Sequence, residues 1–247
     1  MPPSKPTLVL VHGAWHSPKH FVSLTEDLES HGYKIVAVDL PTMDEARQPP
    51  ADLNDDTAVV RDAVLSELND DANVVVIAHS YGGGPTNNSL KDLDHQTRNA
   101  AGHTTSVTGV IFVCALPIPA GMTLIESFAE HDIQPLCAPG DMPNAVEAFY
   151  NDVPAEESAK WTALLRLQSI GAYTTKSTSA AYMVIPSFYL YTTDDRAIPI
   201  DRQKSLVNGA INKGAKITAE TMESAHSPWL SHLDETSKYL RRCIGAE

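Results

Sequence analysis

The chain has 247 residues, of which 43% are hydrophobic, and its 31 acidic and 18 basic side chains give a formal net charge of −13. This length suits one large α/β domain with a substantial core, and the acid excess argues against nucleic acid or an anionic membrane as a partner, because both need a basic face. The N-terminal stretch has no apolar segment of the secretory type and no run approaches a membrane span, so we expect a cytoplasmic protein.

The first half of the chain alternates strands and helices. Short apolar runs predict strands at 7–11, 34–40, 74–78 and 107–115. Amphipathic spacing and end signals predict helices at about 19–31, 55–69 and 83–99. Such alternation is typical of a parallel sheet with crossover helices on both faces.

The alternation stops between residues 116 and 183, where no long strand is predicted and one helix is expected at about 155–169. Strands return at 185–191 and 216–222, with helices at about 199–208 and from 228 onward. We therefore predict an α/β core with a mostly parallel sheet, formed by residues 1–115 and 184–247. Residues 116–183 are predicted to form an inserted, mostly helical cap.

Ser80 lies at the most informative turn of the chain. The buried strand 74–78 runs into His79 and Ser80 and then meets three glycines. Ala78 and Gly82 are the small residues that a sharp strand-to-helix turn needs on either side of a central serine, because the two backbones pass close together. This turn would hold the serine hydroxyl above the sheet beside free amides of the next helix. The pattern predicts a nucleophile, although Ala78 replaces the first glycine of G-x-S-x-G.

A carboxylate and a histidine follow in the order that such a serine needs. Asp194 and Asp195 come after the strand at 185–191, and His226 comes after the last strand. Functional groups collect at the carboxyl ends of parallel strands. His226 is predicted to act as the base and then as the acid, and either aspartate could orient it. We prefer Asp195, because Pro199, four residues later, starts the following helix.

Two backbone amides are expected to bind the oxyanion of the tetrahedral intermediate. One belongs to Tyr81, which follows the nucleophile, and the other to Ala14, in the loop after the first strand.

The segments VLVHGAW, AHSYGG, TDDRAIP and SAHSPWLSH resemble the α/β-hydrolase superfamily, most of all its small esterase branch of plant methylesterases, hydroxynitrile lyases and microbial relatives. The resemblance covers nearly the whole chain and is weakest between 116 and 183. It implies hydrolysis of small carboxylic esters, no cofactor and a helical cap over the site. The lyases of the branch carry a lysine directly after the catalytic histidine, and Ser227 at that position argues against cyanogenic lyase activity.

No metal, nucleotide or disulfide is expected. The three cysteines are widely spaced and form no C-x-x-C pair, and the three glycines after Tyr81 belong to neither G-x-G-x-x-G nor G-K-[ST]. Gly13 and Pro18 would break any helix that aligned the histidines recurring every four residues, which are His12, His16 and His20. His12 fits a structural role in the oxyanion loop, and His79 fits a packed histidine.

The predicted function is cleavage of a small, mostly apolar ester or lactone by a serine hydrolase. Apolar and aromatic residues without a cationic clamp favour a neutral substrate, and the candidate pocket residues are Trp15, His16, Leu116, Met122, Phe128, Trp161, Leu165 and Tyr173. Two alternatives remain open: a lyase, decarboxylase or cyclase that uses the same three side chains, and a ligand receptor with very slow turnover. The sequence does not decide the oligomeric state.

Overall fold

The computed structural model describes residues 5–138 and 141–245. The predicted core and cap ranges therefore include residues 1–4, 139–140 and 246–247, which lie outside the described part.

Six parallel strands form one sheet in the order β2-β1-β3-β4-β5-β6. The strands are β1 (Thr7–Val11), β2 (Ile35–Val38), β3 (Val74–His79), β4 (Val107–Val113), β5 (Ser187–Thr192) and β6 (Ile217–Met222). All six lie where the sequence predicts strands, and the parallel sheet with flanking helices confirms the predicted fold class.

The sheet is buried on both faces in its centre. Alternate residues of β1 enter different hydrophobic clusters: Val9 and Val11 join one, and Leu8 and Leu10 join the other. Side chains of a strand point to opposite faces in turn, so the continuous apolar runs of β1 and β3 supply both layers of core at once.

Helices cover the two faces. They are α1 (Val22–Ser30), α2 (Leu53–Asn69), α3 (Gly83–Ser89), α4 (His95–Ala100), α5 (Leu124–Glu130), α6 (Ala145–Phe149), α7 (Ala155–Thr162), α8 (Gly171–Thr174), α9 (Ile200–Asn212), α10 (Pro228–Ser231) and α11 (Leu233–Cys243). Four short 3₁₀ turns also occur in the described part, at Pro18–Phe21, Pro41–Met43, Ser80–Gly82 and Ala181–Met183.

The single helix predicted at 83–99 is wrong. Helix α3 ends at Ser89, and α4 begins only at His95. Asp92 has a left-handed φ of 63°, which a continuous helix cannot contain, and the Asp94 carboxylate caps α4 by accepting the Thr97 N–H at 3.0 Å.

The predicted helix at 155–169 also stops early, at Thr162. Beyond it the backbone donates to partners elsewhere in the chain: the Arg166 N–H donates to the Trp15 carbonyl and the Ser169 N–H to the Thr42 carbonyl, both at 2.8 Å. These bonds replace the intrahelical ones. The final helix is likewise divided into α10 and α11, and Ser227 precedes α10 without a hydroxyl cap bond.

Residues 116–183 connect β4 to β5 and carry α5 to α8. Leu124, Phe149 and Tyr173 from this segment are buried in the same hydrophobic cluster as Val9 of the sheet. Its assignment as a separate cap stays a prediction. No helix in the described part of the chain is long and apolar enough to cross a membrane.

Candidate active site

Ser80 occupies a strained turn directly after β3. Its φ is 51°, and residues 80–82 form a 3₁₀ turn that leads into α3. A Cβ on Gly82 would lie 2.6 Å from the Val11 carbonyl oxygen, and one on Gly83 would lie 2.5 Å from that of Leu116. Only glycine permits these approaches, so the turn is held between the ends of two neighbouring strands.

The loop after β1 lies directly against Ser80. A Cβ on Gly13 would come within 2.9 Å of the Ser80 Cβ, so glycine is required for this contact. The next residue, Ala14, lines the same cavity as Ser80 and Tyr81. Within the described chain, neither the Ala14 nor the Tyr81 amide donates a hydrogen bond. Two N–H groups beside the serine are therefore available to an anionic oxygen.

His12 fixes this loop through hydrogen bonds of its ring. The Leu40 N–H donates to His12 Nε2 at 3.1 Å, so Nδ1 carries the proton and donates to the Gly13 carbonyl at 2.9 Å. The side chain is fully buried. These contacts agree with the structural role expected for His12.

His226 and Asp195 form a buried pair at the ends of β6 and β5. His226 Nδ1 and Asp195 Oδ2 are 2.8 Å apart. Oδ2 also accepts the Thr192 hydroxyl at 2.9 Å and the Gln203 amide at 3.1 Å, while Oδ1 accepts the amides of two following residues, Ala197 and Ile198, each at 2.8 Å. With these donors around it, Oδ2 acts as an acceptor toward the ring, which places the imidazole proton on Nδ1 and leaves Nε2 with a lone pair.

Asp194 differs from Asp195 in its exposure and in its hydrogen-bond partner. Its side chain is exposed and accepts the Asn151 amide at 2.8 Å, away from the imidazole. The structure thus brings Asp195, and not Asp194, to His226.

The backbone of His226 is held by two buried donors. His79 Nε2 lies 3.0 Å from the His226 carbonyl oxygen, and Cys114 Sγ lies 3.1 Å from the same atom. Burial lowers the pKa of His79 well below its ordinary value, so its ring is a neutral packing group. Ser80 Oγ makes no hydrogen bond to His226 in the described part of the chain, and such contacts often tighten only around a bound substrate.

A narrow cavity opens beside Ser80. Its volume is about 50 Å³, enough for a few water molecules. The lining residues are Ala14, Trp15, Ser80, Tyr81, Leu116, Leu124, Phe128, Gln134, Pro135, Leu136, Cys137, Phe149, Tyr173, Ala197 and Ile198. None of them is charged.

A model of the alpha/beta hydrolase family matches residues 8–238. The chain belongs to the alpha/beta hydrolase family. It is similar to the alpha/beta hydrolase nvfD of Aspergillus novofumigatus, with 27% identity over 98% of this chain and 97% of the relative. It is 24% identical to the putative methylesterase 14, chloroplastic, of Arabidopsis thaliana, over 94% of this chain and 70% of that protein.

The crystal structure of polyneuridine aldehyde esterase shares the fold of this alpha/beta hydrolase. The TM-score is 0.77 at 20% identity, with 97% of this chain and 99% of the other covered. The resemblance to the esterase branch seen in the motifs is confirmed at the level of family and fold.

Four of the predicted pocket residues of this alpha/beta hydrolase line the cavity: Trp15, Leu116, Phe128 and Tyr173. The other four, His16, Met122, Trp161 and Leu165, are not among the residues that line this cavity, and their role in substrate binding stays a prediction. His16 is buried among the rings of His20, His79 and Phe149, of which Phe149 lines the cavity. Met122, Trp161 and Leu165 are partly buried and pack against the core. Hydrophobicity alone could not separate packing from lining.

Several residues that line the cavity were not predicted from the sequence. Ala197 and Ile198 follow Asp195 closely, so their place near the site could have been inferred from the chain order. The segment 134–137 carries no periodic pattern that would place it there. Phe149 stands out in the sequence only as one more aromatic residue between β4 and β5.

One group of three possible metal ligands occurs among the described residues: His79, Cys114 and His226, within 4.8 Å of one another. His226 Nδ1 is bonded to Asp195, and the other two side chains are bonded to the His226 carbonyl. These hydrogen bonds account for the cluster, and the expectation of no metal or cofactor stays a prediction.

Proposed function

We propose that this alpha/beta hydrolase is a serine hydrolase that cleaves a small, mostly apolar carboxylic ester or lactone through an acyl-serine intermediate. The observation that carries the proposal is the buried Asp195–His226 pair at the same edge of the sheet as the strained Ser80 turn. The names of the relatives, an alpha/beta hydrolase and a putative methylesterase, support ester chemistry.

Acylation begins when His226 Nε2 removes the proton of the Ser80 hydroxyl. The oxygen attacks the ester carbonyl carbon, and the carbonyl π electrons move onto its oxygen. The amides of Ala14 and Tyr81 donate to that oxyanion. Collapse of the intermediate breaks the C–O bond to the leaving group, and His226 gives its proton to the departing alkoxide.

Deacylation repeats the sequence with water. His226 takes a proton from the water, the hydroxide attacks the acyl carbon, and the proton returns to Ser80 as the acid leaves. Asp195 keeps the Nδ1 proton in place and stabilises the imidazolium formed in both halves.

The cavity walls support a neutral substrate with an apolar acyl or alcohol part. The walls are mostly aromatic and aliphatic, and they carry no charged side chain to bind an ionised group. The hydroxyl of Tyr173 is buried and has no hydrogen-bond partner in the described chain, so it can donate to an acceptor on the substrate. The small free volume restricts the rigid site to small groups.

Trapping the acyl-enzyme tests the proposal. The protein is mixed with p-nitrophenyl acetate, quenched in acid after less than one turnover, digested and analysed by mass spectrometry. We expect an added acetyl group on the Ser80 peptide, and no such group and no turnover in a folded Ser80→Ala variant. Full activity of Ser80→Ala, or turnover without any acyl adduct, would contradict the mechanism. The second outcome would favour the lyase-type alternative, in which His226 acts as a base alone.

A further inference from the structure

A short turn after α6 sends three consecutive side chains to three separate loops of the candidate site. Tyr150 reaches the loop after β1, Asn151 reaches the loop after β5, and Asp152 reaches the loop after β6. We call residues 150–152 the positioning turn.

Tyr150 supports the loop that carries the Ala14 amide. Burial lowers the pKa of His16 well below its ordinary value, so its ring is neutral. His16 Nδ1 lies 2.6 Å from the Ala14 carbonyl oxygen and must donate to it, because a carbonyl only accepts. Nε2 then accepts the Tyr150 hydroxyl proton at 3.0 Å. The chain of two hydrogen bonds connects the positioning turn to Ala14.

Asn151 holds the loop that carries Asp195. Its side-chain amide donates to the Asp194 carboxylate at 2.8 Å and to the Asp194 carbonyl at 3.1 Å. The Asp194 N–H in turn donates to the Ser224 carbonyl at 3.0 Å, in the loop after β6. The aspartate and histidine loops are therefore tied to each other and to the positioning turn.

Asp152 holds the chain on both sides of His226, in the loop after β6 that we call the histidine loop. One carboxylate oxygen accepts the Ala225 N–H at 2.8 Å and the Ser231 hydroxyl at 2.7 Å. Ala225 directly precedes His226, and Ser231 ends α10. Phe149, which directly precedes the positioning turn, lines the cavity, and its ring centroid lies 5.5 Å from that of His226.

We propose that Tyr150, Asn151 and Asp152 are positioning residues that hold the Ala14, Asp195 and His226 loops at the spacing needed for turnover. The inference rests on the proposed function, because it assigns those loops to one reaction. Reacting groups on separate loops must keep their positions to within a fraction of an ångström, and displacement by about 1 Å can cost roughly a hundredfold in rate. The three contacts link residues 43, 73 and 134 positions apart along the chain, and they meet in three adjacent positions.

A pair of asparagines offers a matched test. Asn151→Ala removes the side-chain hydrogen bonds to Asp194. Asn144→Ala removes a side-chain hydrogen bond to the Glu147 carboxylate at the start of α6 and leaves the contacts of the positioning turn in place. We expect kcat for p-nitrophenyl acetate to fall roughly tenfold in Asn151→Ala, with KM changed less than about threefold and the unfolding midpoint unchanged. Asn144→Ala should match the wild type. Equal kcat in the two variants would overturn the role of Asn151.

Asp152 is tested by two substitutions and by hydrogen exchange. Asp152→Asn keeps an oxygen that can accept the Ala225 and Ser231 bonds, whereas Asp152→Ala keeps none. We expect kcat to fall roughly tenfold or more in the alanine variant and to recover to within about threefold of the wild type in the asparagine variant. The peptide that contains Ala225 and His226 should exchange its amide protons roughly tenfold faster in Asp152→Ala. Should the alanine variant fail to fold, the folded asparagine and Asn151→Ala variants carry the test.

The readouts separate this inference from the proposed function. A wild-type protein that hydrolyses no ester and forms no acyl-Ser80 refutes the function, while the exchange rates still report whether Asp152 holds the histidine loop. Wild-type kcat and wild-type exchange in Asp152→Ala would overturn the positioning role with the esterase mechanism intact.

Discussion

The Tyr81 hydroxyl donates a 2.8 Å hydrogen bond to the buried carboxylate of Asp56 on α2. The same carboxylate accepts the Thr42 N–H at 2.9 Å and the Thr42 hydroxyl at 2.7 Å. Burial raises the pKa of Asp56 to about 6, because water no longer stabilises the charge. Tyr81 supplies the proposed oxyanion amide next to Ser80, so α2 fixes the orientation of that residue through its side chain.

Removal of the Tyr81 hydroxyl is expected to destabilise the fold. Tyr81→Phe leaves the Asp56 carboxylate with Thr42 as its donor and should lower the free energy of unfolding by about 1–3 kcal/mol. Adding Asp56→Asn removes the buried charge and should recover part of that loss. Urea unfolding of the two single variants and the double variant measures the coupling between the residues. Purely additive losses would contradict a direct interaction.

Asp195 and Asp194 should differ by orders of magnitude when each is changed to asparagine. Asp195→Asn places an amide nitrogen among five donors and disfavours the Nδ1-protonated imidazole, so kcat should fall roughly 10³–10⁴-fold. Asp194→Asn keeps an oxygen that can accept the Asn151 bond, and the loss should stay below roughly tenfold. Steady-state kinetics on p-nitrophenyl acetate distinguishes the two. A larger loss for Asp194→Asn would reverse the assignment.

The unpartnered hydroxyl of Tyr173 predicts a change in specificity without a loss of stability. Tyr173→Phe removes no protein hydrogen bond in the described chain, so the unfolding midpoint should not fall. Its effect should depend on the substrate: kcat/KM for p-nitrophenyl 4-oxopentanoate should drop roughly fivefold or more relative to the similarly shaped 4-methylpentanoate. An unchanged ratio of the two kcat/KM values would show that this hydroxyl does not contact the acyl chain.

The sheet and the order of the three proposed catalytic side chains could be predicted from sequence, because both depend on local signals. Val74 to Ile77 form a run too apolar for a one-sided strand, and the glycines that follow Tyr81 mark a close backbone approach. Parallel strands then bring residues that follow different strands to one edge. That rule placed Ser80, Asp195 and His226 together without any distance information.

The supports of the site could not be predicted in this way. Asp56 looks like an ordinary acidic residue in the first turn of a helix, yet the fold buries it against Tyr81. Asp152 meets Ala225 across 73 positions, and Tyr150 meets His16 across 134. No periodicity encodes such pairs, because they depend on how the segment between β4 and β5 packs on the sheet. The same packing ends the helix that the spacing of residues 155–169 favours.

The buried histidines predict that acid destabilises the fold. Burial lowers the pKa of His20 to about 4 and also lowers the pKa values of His16 and His79. Between pH 6.5 and 4 the unfolded chain binds protons on these rings that the native state does not, so stability is greatest above pH 6.5 and falls as the pH decreases. His20 alone accounts for about 3 kcal/mol over this range. Asp56 opposes the trend with about one proton, because its native pKa is raised.

Urea unfolding between pH 7.5 and 4.5 measures this dependence, and His20→Gln provides the control. Glutamine does not titrate, so the variant should lose stability less steeply with acid, by up to about 1.4 kcal/mol per pH unit. The wild-type protein should take up protons on unfolding, because four histidines have lowered pKa values (His16, His20, His79 and His131) and, in the described chain, only Asp56 opposes them with a raised one. Stability that stays constant or rises from pH 7 to pH 5 would mean that these rings already carry protons in the native state. The proposed neutral state of His16, on which its bond from Tyr150 depends, would then be wrong as well.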